Sequence, residues 1–551
     1  MASSANLTAA TVHGVKWTTA ATITTSILQV GYTAVMARLL TPTAFGLVAL
    51  AGLVLRFGSY FAQMGMEQAL IQKTELHDND VRVAFTSSVL LSLLFAGLLM
   101  VGAPLAVPFF HEPAVVPVVR VLACGLLLTG LNATAVSVLR RQLRFRTLAI
   151  IEVASFVLSY GVLGIGLAAA GYGVWALVGA QLGQTLLLTI LSYGAVRHSV
   201  RLLLRWEAYR PLVSYGSRMS LISFLEFFTS SLDTLLIGRL LGAAALGLYS
   251  RAWMLVGLPV YLLTSSVAKV VFPSFSQVQT DRTKLGTVYL SSIVLIGALV
   301  MPICAGVSVA AREVVLVMLG PKWLEAVPIL RIVCAAFGLS MVTMFAGVVC
   351  DATATLSRKL LLNVVYTAVL AGLFVGLSRY GLLGVAAAVV LGELVRTLLY
   401  LGLMRRVLGL SPWAILRAYG PGLQAAATVS LAIGAVAYGT HGQGWPLPVV
   451  FGLEVVAGAV GLGVALLLLP SPRLQEVVGR ILSRLSLPQS GWAAGLVHVL
   501  LRRFPQPACA ADAAEVPATT PVPYHAGAVS AMSAASRPRV LEHTPAEPEL
   551  S

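Results

Sequence analysis

Charge is what this chain has least of. Asp, Glu, Lys and Arg make up 11% of its 551 residues, where soluble domains carry about 25%. A soluble globular enzyme is therefore excluded for most of its length. Cysteine is scarce as well. The five present (Cys124, Cys304, Cys334, Cys350 and Cys509) show no metal-ligand or redox spacing, which excludes a disulfide framework and a thiolate metal cluster. Four of them lie in apolar segments and read as packing residues. A Walker loop, a nucleophile elbow, an HExxH motif and a paired-carboxylate motif with supporting context are all missing, so neither ATP hydrolysis nor covalent catalysis is indicated. The N-terminus lacks both a basic region and a clean cleavage site, and a removed signal peptide is not expected.

What the chain has in quantity is apolar sequence: 58% hydrophobic residues and a mean hydropathy of +0.89. A hydrocarbon core about 30 Å thick is crossed by about 20 apolar residues in a helix. About fourteen such stretches follow one another, separated by short polar loops. They are predicted at about 15–37, 43–67, 83–108, 114–139, 148–170, 173–194, 212–237, 244–272, 286–310, 326–350, 358–378, 382–404, 416–438 and 447–469. The expected class is an all-α polytopic membrane protein. Beyond Pro470 the character changes. Val477, Val478, Ile481, Leu482 and Leu485 recur at helical spacing opposite Arg480 and Arg484. That pattern suits a helix on the cytoplasmic leaflet, where each basic residue contributes about 1 kcal/mol. Residues 505–551, rich in Ala, Pro, Ser and Thr, are expected to be disordered.

The pattern also repeats on a larger scale. Arg38-Leu-Leu-Thr-Pro-Thr-Ala-Phe-Gly-Leu47 returns as Arg239-Leu-Leu-Gly-Ala-Ala-Ala-Leu-Gly-Leu248, an offset of about 200 residues. Each copy links the first and second helix of a set of six. Two like-oriented sets imply pseudo-symmetry about an axis along the membrane normal, with a central cavity between them, and a polytopic protein built this way is usually a transporter. The expected divisions are 1–211 and 212–411 for the two lobes, 412–470 for an appended helix pair, 471–504 for the amphipathic segment and 505–551 for the tail.

The net charge of +16 is unevenly placed. One set of loops carries about seventeen Lys and Arg, among them Arg140, Arg141, Arg144, Arg146, Arg197 and Arg201. The opposite loops carry about seven, including Arg38, Arg120, Arg239, Arg312 and Lys322. By the positive-inside rule both termini are expected in the cytoplasm, and no role with nucleic acid is read from the charge.

An ionisable side chain at mid-helix costs about 2.5–3.5 kcal/mol on insertion scales, so each one calls for an explanation. In the second segment Arg56, Tyr60, Gln63 and Glu67 fall on one stripe. It reads as a cavity wall or as an interhelical hydrogen-bond seam. The first segment carries Thr18, Thr22, Thr25, Gln29 and Tyr32 in the same way; these groups suit a sugar-lined passage and equally suit close packing. The seventh carries Arg218, Glu226 and Asp233, with Glu226, Ser230 and Asp233 on one face. Asp233 is either a cavity residue or a structural one, capping the helix or pairing near Arg239. In the eighth, Arg251 and Lys269 share a face, suited to an anionic substrate or to snorkelling. Glu67, Glu226 and Asp233 are the candidates for a coupling proton or sodium ion. No metal site and no cofactor are expected.

Several segments together resemble one family. LDTLLIGRLLGAAALGLYSRAWM at 232–254, ALIQ at 69–72, RQLRFRTLAIIE at 141–152, FPSFSQVQ at 272–279 and LGPKWLEAVPILR at 319–331 are similar to the polysaccharide transporter family, the Wzx-like oligosaccharide flippases, over about residues 14–410. Multidrug and toxin extrusion (MATE) transporters and lipid II flippases are more distant members of the same superfamily. The resemblance implies a V-shaped, MATE-like pair of six-helix lobes working by alternating access in the bacterial inner membrane. It also implies an oligosaccharide repeat unit on a polyprenyl diphosphate as substrate, passed to the periplasmic leaflet for capsule, exopolysaccharide or O-antigen synthesis. A polysaccharide polymerase and export machinery are the implied partners. Asp233, Arg251 and Lys269 match the family pattern; Arg218 and Glu226 depart from it. The last two helices resemble the extra pair that accompanies lipid-linked substrates, and the Pro/Ala-rich tail matches nothing in the family. Two other functions fit less well. A cation-coupled drug antiporter would have a cavity of carboxylates and aromatics, and a glycan polymerase or ligase would be expected to need a sizeable outside loop, where the longest here is about 15 residues near 312–325.

Overall fold

A computed structural model describes residues 4–63, 78–201, 203, 227–278, 281–353, 355–440 and 442–468; for Tyr60, Gln63 and Lys269 it describes the backbone alone. Of the predicted site residues, Glu67, Arg218 and Glu226 lie outside this set, as do the amphipathic segment and the tail. Every regular element among the described residues is helical. Hydrocarbon offers no partner for a bare N–H or C=O, and a helix satisfies nearly all of them within itself.

In chain order the main helices are α1 (Ser4–Leu39), α2 (Pro42–Gln63), α3 (Asp78–Gly102), α4 (Val115–Arg141), α5 (Phe145–Phe156), α6 (Val174–Val196), α7 (Leu232–Gln277) and α8 (Arg282–Val309). There follow the short α9 (Ala311–Met318), then α10 (Ala326–Ala352), α11 (Leu356–Leu377), α12 (Gly381–Leu408), the short α13 (Pro412–Ala418), α14 (Gly420–Thr440) and α15 (Leu447–Leu468). Among the described residues, eleven stretches are long and apolar enough to cross a membrane. The chain is a multi-pass membrane protein. Three features separate that number from the fourteen expected. The 52-residue stretch Ser357–Leu408 holds two helices, α11 and α12. The threonine-rich α1 is not among the spans, and the body of the seventh predicted segment falls outside the described residues.

Local chemistry explains the boundaries. Asp281 caps α8, its side chain accepting from Thr283 N at 3.0 Å and Lys284 N at 3.1 Å. Ser411 caps α13 ahead of Pro412, accepting from Ala414 N at 3.1 Å. The seventh and eighth predicted segments meet without a loop: α7 runs from Leu232, near the end of the seventh, through the eighth and is broken at Gly242 alone (φ 81°, ψ −179°). Only glycine occupies that region without strain. The amide freed just after the break, Ala243 N–H, donates to Glu112 Oε1 at 3.3 Å. The segment expected as a loop at 312–325 is instead α9 and a single 3-10 turn, Pro321–Trp323. The fifth predicted segment continues from α5 through a π-helical stretch, Val157–Gly164. Of the described cysteines, Cys304, Cys334 and Cys350 are buried as expected, whereas Cys124 is exposed.

The helices pack in a pattern that repeats. In the first half α3 packs on α4, α4 on α6, α2 on α3 and α4, and α5 on α1 and α6. In the second half, α8 packs on α10, α10 on α12, the long α7 on α8, α10 and α11, and α11 on α12. Shifting the first set by the sequence offset generates the second. The appended pair is held through α14 on α8 and α15 on α14.

The halves meet most extensively where α2 crosses α7, and this contact is built from the two copies of the repeated motif. A Cβ on Gly46 would run into the Ala243 carbonyl oxygen, and a Cβ on Gly247 into the Pro42 carbonyl oxygen. Gly46 and Gly247 hold equivalent places in the motif, as do Pro42 and Ala243. The contact is thus reciprocal, as expected about a pseudo-twofold axis. The leading arginines are reciprocal too. Arg38 Nη2 donates to Val317 O at 2.8 Å in the second half, and Arg239 Nη1 donates to Pro108 O at 2.8 Å and to Phe109 O in the first. Trp323, fully buried, donates Nε1–H to Ala37 O at 2.8 Å and stands edge-on to Phe45 at 5.4 Å.

Candidate functional site

Beneath this contact lies a cation with no ionic partner among the described residues. Arg251 sits on α7 about two and a half turns past the Gly242 break. Its guanidinium carbon stands 4.7 Å over the Phe45 ring of α2, and Nη1 lies 3.4 Å from Met254 Sδ. Its Nε is buried without a hydrogen-bond partner. Among the described residues, the ion pairs all lie elsewhere. A ring face and a thioether solvate a charge weakly. A guanidinium in such a setting is a donor fork waiting for an anion.

The hydroxyl of Tyr32, on α1, is buried and also unpartnered. Its ring is wedged edge-on against Tyr160 at 4.8 Å and Phe156 at 6.4 Å. Tyr160 belongs to the π-helical stretch and, at the end of that stretch, Gly164 leaves room for the Tyr32 ring. π-Helical turns recur at functional sites because they redirect side chains. Next to Tyr32, Thr33 lies 3.7 Å from the same Met254 sulfur.

Met254 and Thr33 also line a cavity of about 420 Å3 between α1, α7, α8, α14 and α15. Its walls are almost wholly apolar, including Val30, Leu258, Ile303, Val429 and Phe451. A polar pair, Arg251 and Tyr32, therefore adjoins an apolar chamber through one shared methionine.

A second polar cluster lies inside the second half. Asp233 Oδ2 accepts from Tyr249 OH at 3.0 Å, and Oδ1 from Thr234 N at 2.6 Å. Nearby, Glu393 accepts from Tyr366 OH at 3.1 Å and pairs with Arg396 at 2.7 Å, while Arg396 lies 5.2 Å over the Tyr366 ring. Thr367 Oγ1 reaches Thr229 Oγ1 at 3.3 Å and ties α11 to the short helical stretch 227–230. Asp233 does not pair near Arg239, as one sequence reading had it, because Arg239 reaches across to the other half.

The structure disperses the other predicted residues. Arg56 is exposed on α2. A charge there, away from the helix ends, needs water or protein beside it. Gln29 is half-buried, one turn before Tyr32 on α1. The threonines of α1 bond their own helix instead of a neighbour: Thr22 Oγ1 donates to Thr18 O and Thr25 Oγ1 to Ala21 O, each at 2.8 Å. Lys269 falls within α7, about five turns beyond Arg251. Ser231 interrupts the helix between Ser230 and Asp233, and the face expected to include Glu226 lies in part outside the described residues. Sequence reasoning passed over Glu393, Arg396, Tyr366 and Glu454. The signal was available for three of them, since Glu393, Arg396 and Glu454 are charges inside apolar segments.

Comparison with known proteins agrees with this architecture. A family model described as polysaccharide biosynthesis protein matches residues 35–328, more than half of the chain. The chain belongs to this family. Among curated relatives, the chain is 27% identical over 354 residues to the teichuronic acid biosynthesis protein TuaB of Bacillus subtilis (strain 168), covering 62% of this chain and 70% of that one. It is 22% identical to the lipopolysaccharide biosynthesis protein WzxC of Escherichia coli (strain K12), covering 73% and 82%. Among solved structures it is similar to the lipid II flippase MurJ in an inward closed conformation, with a TM-score of 0.65 at 11% identity over 81% of this chain and 98% of that one. An inward-facing MATE multidrug transporter follows at a TM-score of 0.54, 17% identity and coverage of 71% and 94%. At those identities the likeness is one of fold. The chain is thus an all-α protein with the architecture of MurJ and the MATE transporters.

Proposed function

We propose that the protein is a flippase that carries polyprenyl-diphosphate-linked oligosaccharide repeat units across the inner membrane by alternating access. The observation that carries this reading is Arg251: a half-buried arginine between the two halves whose Nε is buried and unpartnered, without a carboxylate among the described residues, beside an unpartnered Tyr32 hydroxyl. A bare buried charge costs several kcal/mol, and a bound diphosphate would offset it with charge-assisted bonds. The apolar cavity beside it suits the isoprenoid tail. A diphosphate joined to a long apolar chain needs this juxtaposition of anion site and apolar chamber. The names of relatives support the reading: a succinoglycan biosynthesis transport protein, ExoT of Rhizobium meliloti (strain 1021), and a probable low-salt glycan biosynthesis flippase, Agl15 of Haloferax volcanii.

In this reading both termini are cytoplasmic, so the reciprocal Arg38 and Arg239 contacts close the periplasmic end. Arg56, Tyr60, Gln63 and Gln29 line the glycan path, with Arg218 and Lys269 as further cations. Asp233, Glu226 or Glu67 couples the cycle to a proton or sodium gradient. A polymerase and export machinery take up the product.

The test replaces Arg251 in the full chain and measures lipid-linked saccharides and surface polymer in cells depleted of the native protein. Arg251→Ala is expected to lower polymer at least tenfold while complete lipid-linked repeat units accumulate on the cytoplasmic side. Arg251→Lys, which keeps the charge but not the fork, is expected to retain part of the activity. Normal polymer in Arg251→Ala at normal protein level would refute the assignment.

A further inference from the structure

The apolar cavity holds one charged side chain, Glu454 of α15. It is 1% exposed, and neither carboxyl oxygen has a hydrogen-bond partner among the described residues. The helices packed around it offer little. Neither α14 nor the cavity-lining parts of α1, α7 and α8 bring an acid or base to the cavity wall. The nearest charges stand on α9. There Glu313, a carboxylate close enough to repel a charge on Glu454, is 18% exposed and makes a loose ion pair at 3.9 Å with the exposed Arg312. A carboxyl in an apolar chamber has two tolerable states. It is a neutral acid when the chamber is dry, or an anion when water or a cation stands beside it. What fills the chamber therefore decides its charge.

We propose that Glu454 is a proton-binding site of the transport cycle. It takes up one proton when an apolar chain enters the cavity and displaces water, and it releases that proton when the chain leaves. This rests on the flippase reading for the identity of the apolar chain, while the site itself rests on the cavity and the unpartnered carboxyl. Proton and chain are then linked ligands: whatever favours one favours the other by the same factor. Glu313 and Arg312, half-buried and exposed at the end of α9, give the proton its route to water on the side closed by Arg38 and Arg239.

The experiment is infrared difference spectroscopy of the full chain in liposomes, titrated with pH, with and without a polyprenyl monophosphate as probe. The wild type is expected to show a protonating carboxylic-acid band that Glu454→Gln loses and Glu454→Asp moves. Glu313→Gln is expected to shift the titration, because it removes the neighbouring negative charge. The probe is expected to shift it upward by about one pH unit, a tenfold gain in proton affinity. Glu454→Asp keeps an acid at the site, so the assignment stands on it should Glu454→Gln fold poorly. Identical spectra for wild type and Glu454→Gln would overturn the proposal, and so would removal of the band by sodium ions at constant pH, which would make it a cation site. A probe-sensitive band in a protein whose loss leaves lipid-linked saccharides unchanged would instead overturn the flippase reading and leave Glu454 as a proton site.

Discussion

At the scale of single residues, the buried charges divide into those that are paired and those that are not. Glu393 is paired with Arg396 at 2.7 Å and bonded to Tyr366, so its role is at least structural. Removing one member of a buried pair strands the other, at a cost of about 3 kcal/mol. Glu393→Ala is therefore expected to lower the thermal midpoint of the purified protein clearly, and Arg251→Ala to leave it unchanged or raise it, since Arg251 has no described ionic partner to strand. Differential scanning fluorimetry in detergent separates the two. His198 gives a prediction at the surface end. It is 9% exposed, packed between Phe85 at 5.3 Å and Tyr193 at 5.4 Å. Burial holds its imidazole below the usual histidine range, against a smaller opposing bond to Ser199 O. A depressed folded value means the neutral ring is the stable one in the fold. That stability is present above the unfolded value, about 6.5, and is lost as pH falls from there through the folded value. His198→Gln is expected to flatten the acid limb of a stability profile measured across that window.

At the scale of elements, glycine sets the geometry of the central crossing. Gly242 holds a conformation open to glycine alone, and Gly247 lies against the Pro42 carbonyl. Gly242→Ala is expected to cost about 1–3 kcal/mol through strain, read as a lower melting temperature. Gly247→Ala acts differently. The added methyl meets backbone, which has no rotamer to move, so α2 and α7 separate at this end. Gly46→Ala, its mate in the repeat, is expected to give the same phenotype. Unequal effects of these two alanines on solvent accessibility at the crossing would contradict the reciprocal packing.

At the scale of the whole molecule, one end is shut by contacts that each half donates to the other. Arg38 bonds the carbonyl of Val317, Arg239 those of Pro108 and Phe109, and Trp323 that of Ala37. Carbonyl acceptors at helix ends suit a latch, because they hold the guanidinium without a carboxylate's stronger grip. The double variant Arg38→Ala/Arg239→Ala is expected to open this end. A cysteine at Leu50, fully buried at the crossing, in a background lacking the exposed Cys124, is expected to react several-fold faster with a membrane-impermeant thiol reagent. Unchanged reactivity would show that the aromatic contacts hold the end shut alone.

The sequence by itself determined the class, the approximate helix boundaries, the twofold repeat and the list of charges inside apolar segments. All of these follow from one-dimensional constraints: a hydrocarbon layer of given thickness, and the cost of placing charge in it. It also placed Arg251 among the candidates, because a lone arginine in an apolar helix is visible without coordinates. Only the tertiary structure decided which charges are satisfied. Asp233 meets Tyr249 from beyond the Gly242 break and Glu393 meets Tyr366 of α11, whereas Glu454 meets no hydrogen-bond partner among the described residues, a difference set by side chains 16 and 27 residues away in sequence. The threonine stripe of α1 looked like a polar lining, but its hydroxyls bond their own helix, which periodicity cannot reveal. The fusion of two predicted segments at Gly242 was equally hidden, because one glycine can end a helix, bend it or join two, and packing against Pro42 and Glu112 selects among them. The repeated motif announced two similar halves; that its glycines are the surface on which the halves meet is a fact of three dimensions, since reciprocity exists only once both copies are folded against each other.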